Sequence, residues 1–328
     1  MSFRLGFVAA VAAVVAAILP ARAEIIPAAQ MARGMYIPPQ QCAAMPYAVW
    51  VVVGDKGYCV RYYLSTTGGE GQQPVVFLQG DRMGRFAFRD GTFEKTDPSQ
   101  DINTEVLQRM ADNFSKLAQG PAIYLGRPGV EGSSGFHGHR KTWLELYVVN
   151  MALDAIKRKH GYAGFHLMGQ SGGGSLVGGL LYLRDDIGCA VPGAGLLARL
   201  DSGGRPEKHP LLQYFDPVQL VGRIAQRRGL RVIVITDPQD RTVRWQYQST
   251  FADQLNRAGG RVEQYWVQAV DDNRHGVVIY TAHAMARCVR GETGEQIRAA
   301  LAELQQRHVA AAEDRRRRRA AGAPPPQS

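Results

Sequence analysis

The sequence predicts an α/β fold: a mostly parallel central sheet with helices on both faces and a small cap. Three observations carry that expectation. From about residue 75 onward, short apolar runs alternate with longer segments of helical spacing, the pattern of successive βαβ units. The apolar runs at 75–79, 122–125, 165–168 and 232–235 are continuous, as in strands buried on both faces. A chain of 328 residues, 45% of them hydrophobic, is also long enough to bury a substantial core in one domain.

In chain order, residues 49–53 and 59–65 read as an early hairpin, followed by the buried strand at 75–79, which ends at Gly80. Residues 103–117 carry Val106, Leu107, Met110, Phe114 and Leu117 on one side of a helix. After the strand at 122–125 comes a helix over 142–159, ended by Gly161. A strand at 165–168 and a helix at 176–183 follow, then a strand beginning at 189–191. The β-branched run 232–235, a helix over 244–258 and a last strand at 262–267 complete the sheet. Two helices, 276–290 and 292–311, close the domain. Between residues 191 and 232 lie the apolar residues Leu211, Leu212, Tyr214 and Phe215, which predict a small cap and a fairly open site.

The termini are read separately. Met1 to Arg4 form a cationic start, 5–19 an apolar run, and Ala21-Arg22-Ala23 a small-x-small cleavage site before Glu24. This is the three-part pattern of a secretory signal peptide. The run is shorter than the ~20 apolar residues that span a bilayer, so no stable membrane anchor is expected. Domain boundaries follow: 1–23 signal, 24–46 an N-terminal extension, 47–312 the α/β domain, and 313–328 a disordered Arg/Pro-rich tail. The protein is expected to be periplasmic or secreted. Net charge is +10, but Arg315 to Arg319 account for much of it and no nucleic-acid reading motif accompanies it; a nucleic-acid partner is not expected. Cys42, Cys59, Cys189 and Cys288 form an even set that suits an oxidising compartment and permits three pairings. Pairing Cys42 with Cys59 would close a short loop, and Cys189 with Cys288 would tie a strand to a late helix. No Cys-x-x-Cys spacing supports zinc.

Sites in such sheets form at the carboxyl ends of strands. There the loop after residue 168 reads Gly169-Gln170-Ser171-Gly172-Gly173, a Gly-x-Ser-x-Gly turn between strand and helix. A serine in so tight a turn is lifted into solvent, and the helix behind it aims free N–H groups at a developing oxyanion. Ser171 is therefore the candidate nucleophile. A hydroxyl nucleophile needs a base, and the base an orienting acid. His275 lies in the loop after the last strand, whereas His166 sits within a strand, His209 in a Pro-flanked loop, and His283 and His308 in late helices. For the acid, the loop after residue 235 offers Asp237 and Asp240; Asp240 is favoured, because Asp237 before Pro238 suits a turn-former. Asp271 and Asp272 belong more naturally to the loop that positions His275. The oxyanion donors would be the backbone N–H groups of Gly172 and of Asp81, whose side chain is free to cap its turn. Gln170, Ser134 and His137 are candidates to line the substrate pocket. His137 and His139 lack the carboxylate or cysteine company of a metal site.

Gly-Gln-Ser-Gly-Gly, Asp240 before Arg-Thr-Val, and His275-Gly276 together resemble the α/β-hydrolase family over roughly residues 47–300, and residues 127–137 resemble a segment of bacterial peptidase-like and esterase-like members. Gln79-Gly80 stands where many members carry His-Gly. The resemblance implies hydrolysis of an ester, thioester or amide in a small-molecule or peptide substrate, with no metal or organic cofactor. Two other classes fit the same residues: a non-catalytic binding protein on this scaffold, and an acyltransferase using the same acyl-enzyme.

Overall fold

A computed structural model describes residues 24–66, 73–82, 88–89, 92–93, 101–199 and 209–321. Residues 1–23, the expected export signal, and the last seven residues lie outside that set.

The N-terminal extension is structured. Strand β1 (Ile25–Ile26) leads into helices α1 (Ala28–Arg33) and α2 (Pro39–Ala44). The expected hairpin follows as β2 (Ala48–Val53) and β3 (Lys56–Leu64), then β4 (Val75–Leu78) and two two-residue strands, β5 (Phe88–Arg89) and β6 (Thr92–Phe93). Strand β7 (Ile102–Asn103) runs into α3 (Thr104–Ala118), which Asn103 caps by accepting from Glu105 N–H. Next come β8 (Ala122–Leu125), α4 (Trp143–His160), β9 (Phe165–Gln170), α5 (Gly172–Leu183) and β10 (Ile187–Gly193). The short α6 (Val221–Ile224) precedes β11 (Arg231–Thr236), α7 (Trp245–Arg257), β12 (Val262–Trp266), α8 (Val278–Val289) and α9 (Gly294–Ala320).

Eight strands form the central sheet in the order β12-β11-β10-β9-β4-β8-β3-β2. The six from β12 to β8 are mutually parallel; β3 and β2 join antiparallel at one edge. Alternate side chains feed two separate cores. Val76 and Leu78 face a core shared with Leu146, Val149, Leu176, Leu180 and Phe251 of α4, α5 and α7. Val75 and Phe77 face the other, shared with Leu107, Phe114, Tyr280, Met285 and Ile297 of α3, α8 and α9. This two-residue alternation within a fully buried strand is why its sequence reads as one apolar run.

Three features extend or correct the expectations. The N-terminal extension is part of the fold: β1 pairs antiparallel with β7, and Ile26, Met31 and Ala32 are buried. The arginine run is helical: α9 carries Arg315 to Arg319 on its last turns, where Arg318 pairs with Asp314 one turn back and Arg316 reaches Val270 O at 2.9 Å. The described part of the 194–230 connection, where the cap was expected, packs on the helix layer: Trp143 N–H donates to Gln213 O at 3.0 Å, and the Phe215 ring lies 6.1 Å from that of Trp143. Of the three cysteine pairings, the structure forms Cys42–Cys59 and Cys189–Cys288, the latter joining β10 to α8.

Candidate active site

Ser171 follows β9 directly and caps α5 with φ 54° and ψ −119°, a conformation a side-chain-bearing residue adopts only when its surroundings impose it. The glycines permit this. A Cβ on Gly173 would lie 2.0 Å from Leu78 O, so α5 can enter against β4 only without one. Ser171 N–H is spent on Gly193 O at 2.8 Å, which anchors the turn to β10. Gly80 lies directly across from it: a Cβ there would be 3.1 Å from the Ser171 Cβ. The loop after β4 thus borders the serine, as an oxyanion loop must.

His275 and Asp240 meet. Asp240 Oδ2 lies 2.7 Å from His275 Nδ1, and the other carboxylate oxygen accepts from Thr242 N–H at 2.7 Å and Val243 N–H at 2.9 Å. The Asp240 side chain is fully buried while the imidazole keeps 17% exposure, so the carboxylate is enclosed and the ring keeps an edge open to solvent. Asp237 is engaged elsewhere, since its fully buried carboxylate binds Arg274 through both oxygens, at 2.8 and 3.0 Å. Asp271 accepts from His275 N–H and Gly276 N–H. Burial raises its pKa, but those two donors outweigh burial and hold it below the ordinary carboxylate value.

Gln170, expected to line the pocket, spends its side-chain amide on the histidine loop. Its amide donates to His275 O at 2.7 Å and accepts from Val277 N–H at 3.2 Å. It therefore ties the serine turn to the histidine loop and brings the His275 backbone within one side chain's reach of Ser171. Among the described residues the Ser171 hydroxyl itself makes no hydrogen bond. Ser134 is likewise spent on structure, since its Oγ accepts from Cys59 N–H at 2.6 Å. His137 is buried at 1% exposure, where its Nε2 accepts from Arg82 N–H at 3.4 Å. Burial first, and then Arg127, push its pKa down to about 3, so it is neutral at physiological pH. His166 accepts from Cys189 N–H at 3.0 Å as a packed strand residue.

The Asp81 side chain does more than cap its turn. A Cβ on Gly172 would fall 1.9 Å from its Oδ1, so the carboxylate sits on the residue after the serine. Arg127 at 2.9 Å, Lys141 at 2.6 Å and Arg140 at 3.3 Å surround it. Burial opposes its ionisation, yet Arg127, Lys141 and their neighbours prevail, and its pKa lies far below the usual range. Arg127, at 0% exposure, also donates to Gln79 O at 3.0 Å and to Glu145 at 2.9 Å. Glu131 holds Arg127 N–H at 3.2 Å and the Arg82 guanidinium at 3.0 Å. Four cations (Arg82, Arg127, Arg140, Lys141) thus meet three carboxylates (Asp81, Glu131, Glu145) behind the loop.

No family model matches the chain, and no curated protein matches it in sequence. Solved structures do match. An acylaminoacyl peptidase of Pyrococcus horikoshii aligns over 74% of this chain and 39% of its own, at 16% identity and a TM-score of 0.50. Est1E from Butyrivibrio proteoclasticus, solved with ferulic acid bound, aligns over 75% of this chain and 99% of its own, at 13% identity and a TM-score of 0.50. A Pyrococcus furiosus esterase aligns over 78% and 95%, at 11% identity and a TM-score of 0.50. The chain has the α/β-hydrolase fold. It spans about two fifths of the length of the peptidase it matches.

Within the α/β-hydrolase fold, Ser171, Asp240 and His275 follow β9, β11 and β12 in turn, all at the carboxyl ends of parallel strands. What sequence reasoning missed is the support: Arg127, Glu145 and Arg274. One signal was present, a charged Arg127 immediately beyond an apolar strand that ends Leu125-Gly126. Among the described residues no group of three or more His, Cys, Asp and Glu side chains is arranged to hold a metal ion.

Proposed function

We propose that this protein is an exported serine hydrolase that cleaves an ester or amide bond through Ser171, His275 and Asp240. The observation that carries the reading is the 2.7 Å contact between Asp240 and His275 Nδ1, opposite a serine held at φ 54° on the strand-to-helix turn. Asp240 fixes the ring so that Nδ1 carries the proton and Nε2 is the base. The Ser171 hydroxyl turns to Nε2, gives up its proton and attacks the carbonyl carbon. Negative charge on the former carbonyl oxygen is received by the N–H groups of Gly172 and Asp81. His275 returns the proton to the leaving alcohol or amine. Water, deprotonated by the same imidazole, then releases the acid from the acyl-enzyme. The esterases and the peptidase among the structural neighbours support hydrolysis as the reaction class. Two disulfides support an oxidising compartment.

The test is a panel of short esters and aminoacyl-amides offered to the mature protein and to Ser171→Ala. The variant should lose at least about 1,000-fold in turnover while keeping its melting temperature. Equal turnover in both proteins would remove the mechanism, and rates that rise with added alcohols would indicate acyl transfer instead.

A further inference from the structure

Asp237 and Arg274 are used by no step of that mechanism, yet they lace its two halves together. Asp237, fully buried at the end of β11, accepts four hydrogen bonds: from Gln239 N–H at 2.8 Å, Ala269 N–H at 2.7 Å, Arg274 Nε at 2.8 Å and Arg274 Nη2 at 3.0 Å. Two of these come from the loop that carries His275 as one planar fork, a geometry that only arginine supplies. Arg274 Nη1 then returns to Gln239 Oε1 at 3.0 Å, and Arg241 N–H bonds Asn273 O at 2.9 Å. The acid loop and the base loop are closed on each other one residue before His275 and within three residues of Asp240.

Arg274 also adopts φ 56°, the left-handed region, where a residue with a side chain stays only if something holds it. It is the residue immediately before His275, so its backbone sets where the imidazole points. Nothing in the catalytic cycle needs a guanidinium there. Its backbone N–H donates to Asp271 O at 3.0 Å, and its side chain is fixed by the bidentate grip of Asp237.

We propose that Asp237 and Arg274 form a clasp of positioning residues, whose function is to hold Arg274 left-handed and thereby set the Asp240–His275 register. The proposal rests on the serine-hydrolase reading for its effect on turnover, but not for its effect on structure.

Two readouts separate these. The first is the rate at which a fluorophosphonate modifies Ser171, and kcat for an ester with its KM. The second is the low-field proton resonance of His275 Nδ1–H hydrogen-bonded to Asp240, which needs no activity. Arg274→Ala should lower kcat and the labelling rate about 30- to 100-fold, as expected when a reacting group is misplaced by about 1 Å, with KM changed less than about twofold. Its Nδ1–H resonance should broaden or disappear. Arg274→Gly, which accepts φ > 0 without strain, should recover part of both signals although it lacks any side chain. Arg274→Lys should fall below wild type, since an ammonium cannot form the fork. A purely structural role would lower melting temperature in all three and leave labelling of the folded fraction unchanged; that result overturns the clasp. If wild-type Ser171 proves unreactive, the hydrolase reading fails while the resonance still decides: its presence in wild type and loss in Arg274→Ala support the clasp, and its persistence in Arg274→Ala overturns it. Should Arg274→Ala not be recovered folded, the same comparison between wild type, Arg274→Gly and Asp237→Asn decides.

Discussion

Replacing Arg127 with Met should cost this protein about 3–5 kcal/mol of stability at pH 7. Arg127 is completely buried and is the shared counter-ion of Glu145, itself 2% exposed, and of Asp81. Removing only the cation leaves the buried Glu145 carboxylate with the Lys141 N–H at 2.6 Å as donor but without its counter-charge. Burial already raises the Glu145 pKa despite Arg127 pulling it down. Without that pull it rises further. The sign follows from linkage: an acid whose folded pKa exceeds its unfolded value binds more protons when folded, so stability falls as pH rises through that window. The deficit of Arg127→Met should therefore shrink between pH 7 and pH 5. Urea unfolding of both proteins at the two pH values measures it. Replacing Arg127 and Glu145 together with apolar residues should restore most of the loss, because an apolar pair needs no counter-charge. A deficit under about 1 kcal/mol, or one that does not change with pH, would refute the reasoning that Arg127 balances buried charge.

Other expectations come from single contacts. Asp240→Asn should reduce kcat about 1,000- to 10,000-fold, as an acid that fixes the imidazole tautomer does, measured with any ester the wild type turns over. Gly173→Ala should fail to fold or lose more than about 3 kcal/mol, since its Cβ would meet Leu78 O at 2.0 Å, whereas Gly222→Ala in α6, with nothing within 4 Å, should gain up to about 1 kcal/mol in urea unfolding. Cys189 and Cys288 are 99 residues apart and Cys42 and Cys59 only 17. Loss of the longer loop should cost about 4–5 kcal/mol and of the shorter about 3 kcal/mol, read from melting of the paired Cys→Ser variants.

The features legible in the sequence are the local ones. Apolar runs bounded by helical periods give a parallel sheet, and Gly-x-Ser-x-Gly identifies the turn because the demand at Gly169 is local: a Cβ there would lie 2.4 Å from Gly173 O. Asp240 can be favoured over Asp237 because distance from the strand end and the turn at Thr242 and Val243 are local too. What cannot be read depends on contacts between distant segments. Arg127 reaches Gln79 across 48 positions, Gln170 reaches His275 across 105, and Arg274 reaches Asp237 across 37. The pairing of β1 with β7 is of the same kind. The arginine run departs from expectation for another reason. Its composition suggests a solvated tail, but Ala, Glu and Arg favour helix, α9 is already propagating, and the Arg318–Asp314 pair supports its last turns.

Mass spectrometry of the folded protein after brief exposure to a fluorophosphonate tests the central claim most directly. One adduct on the peptide containing Ser171 is predicted, with its rate collapsing in His275→Ala and no adduct after denaturation. A folded protein that stays unmodified, or that is modified at another serine while Ser171 remains free, would contradict the account.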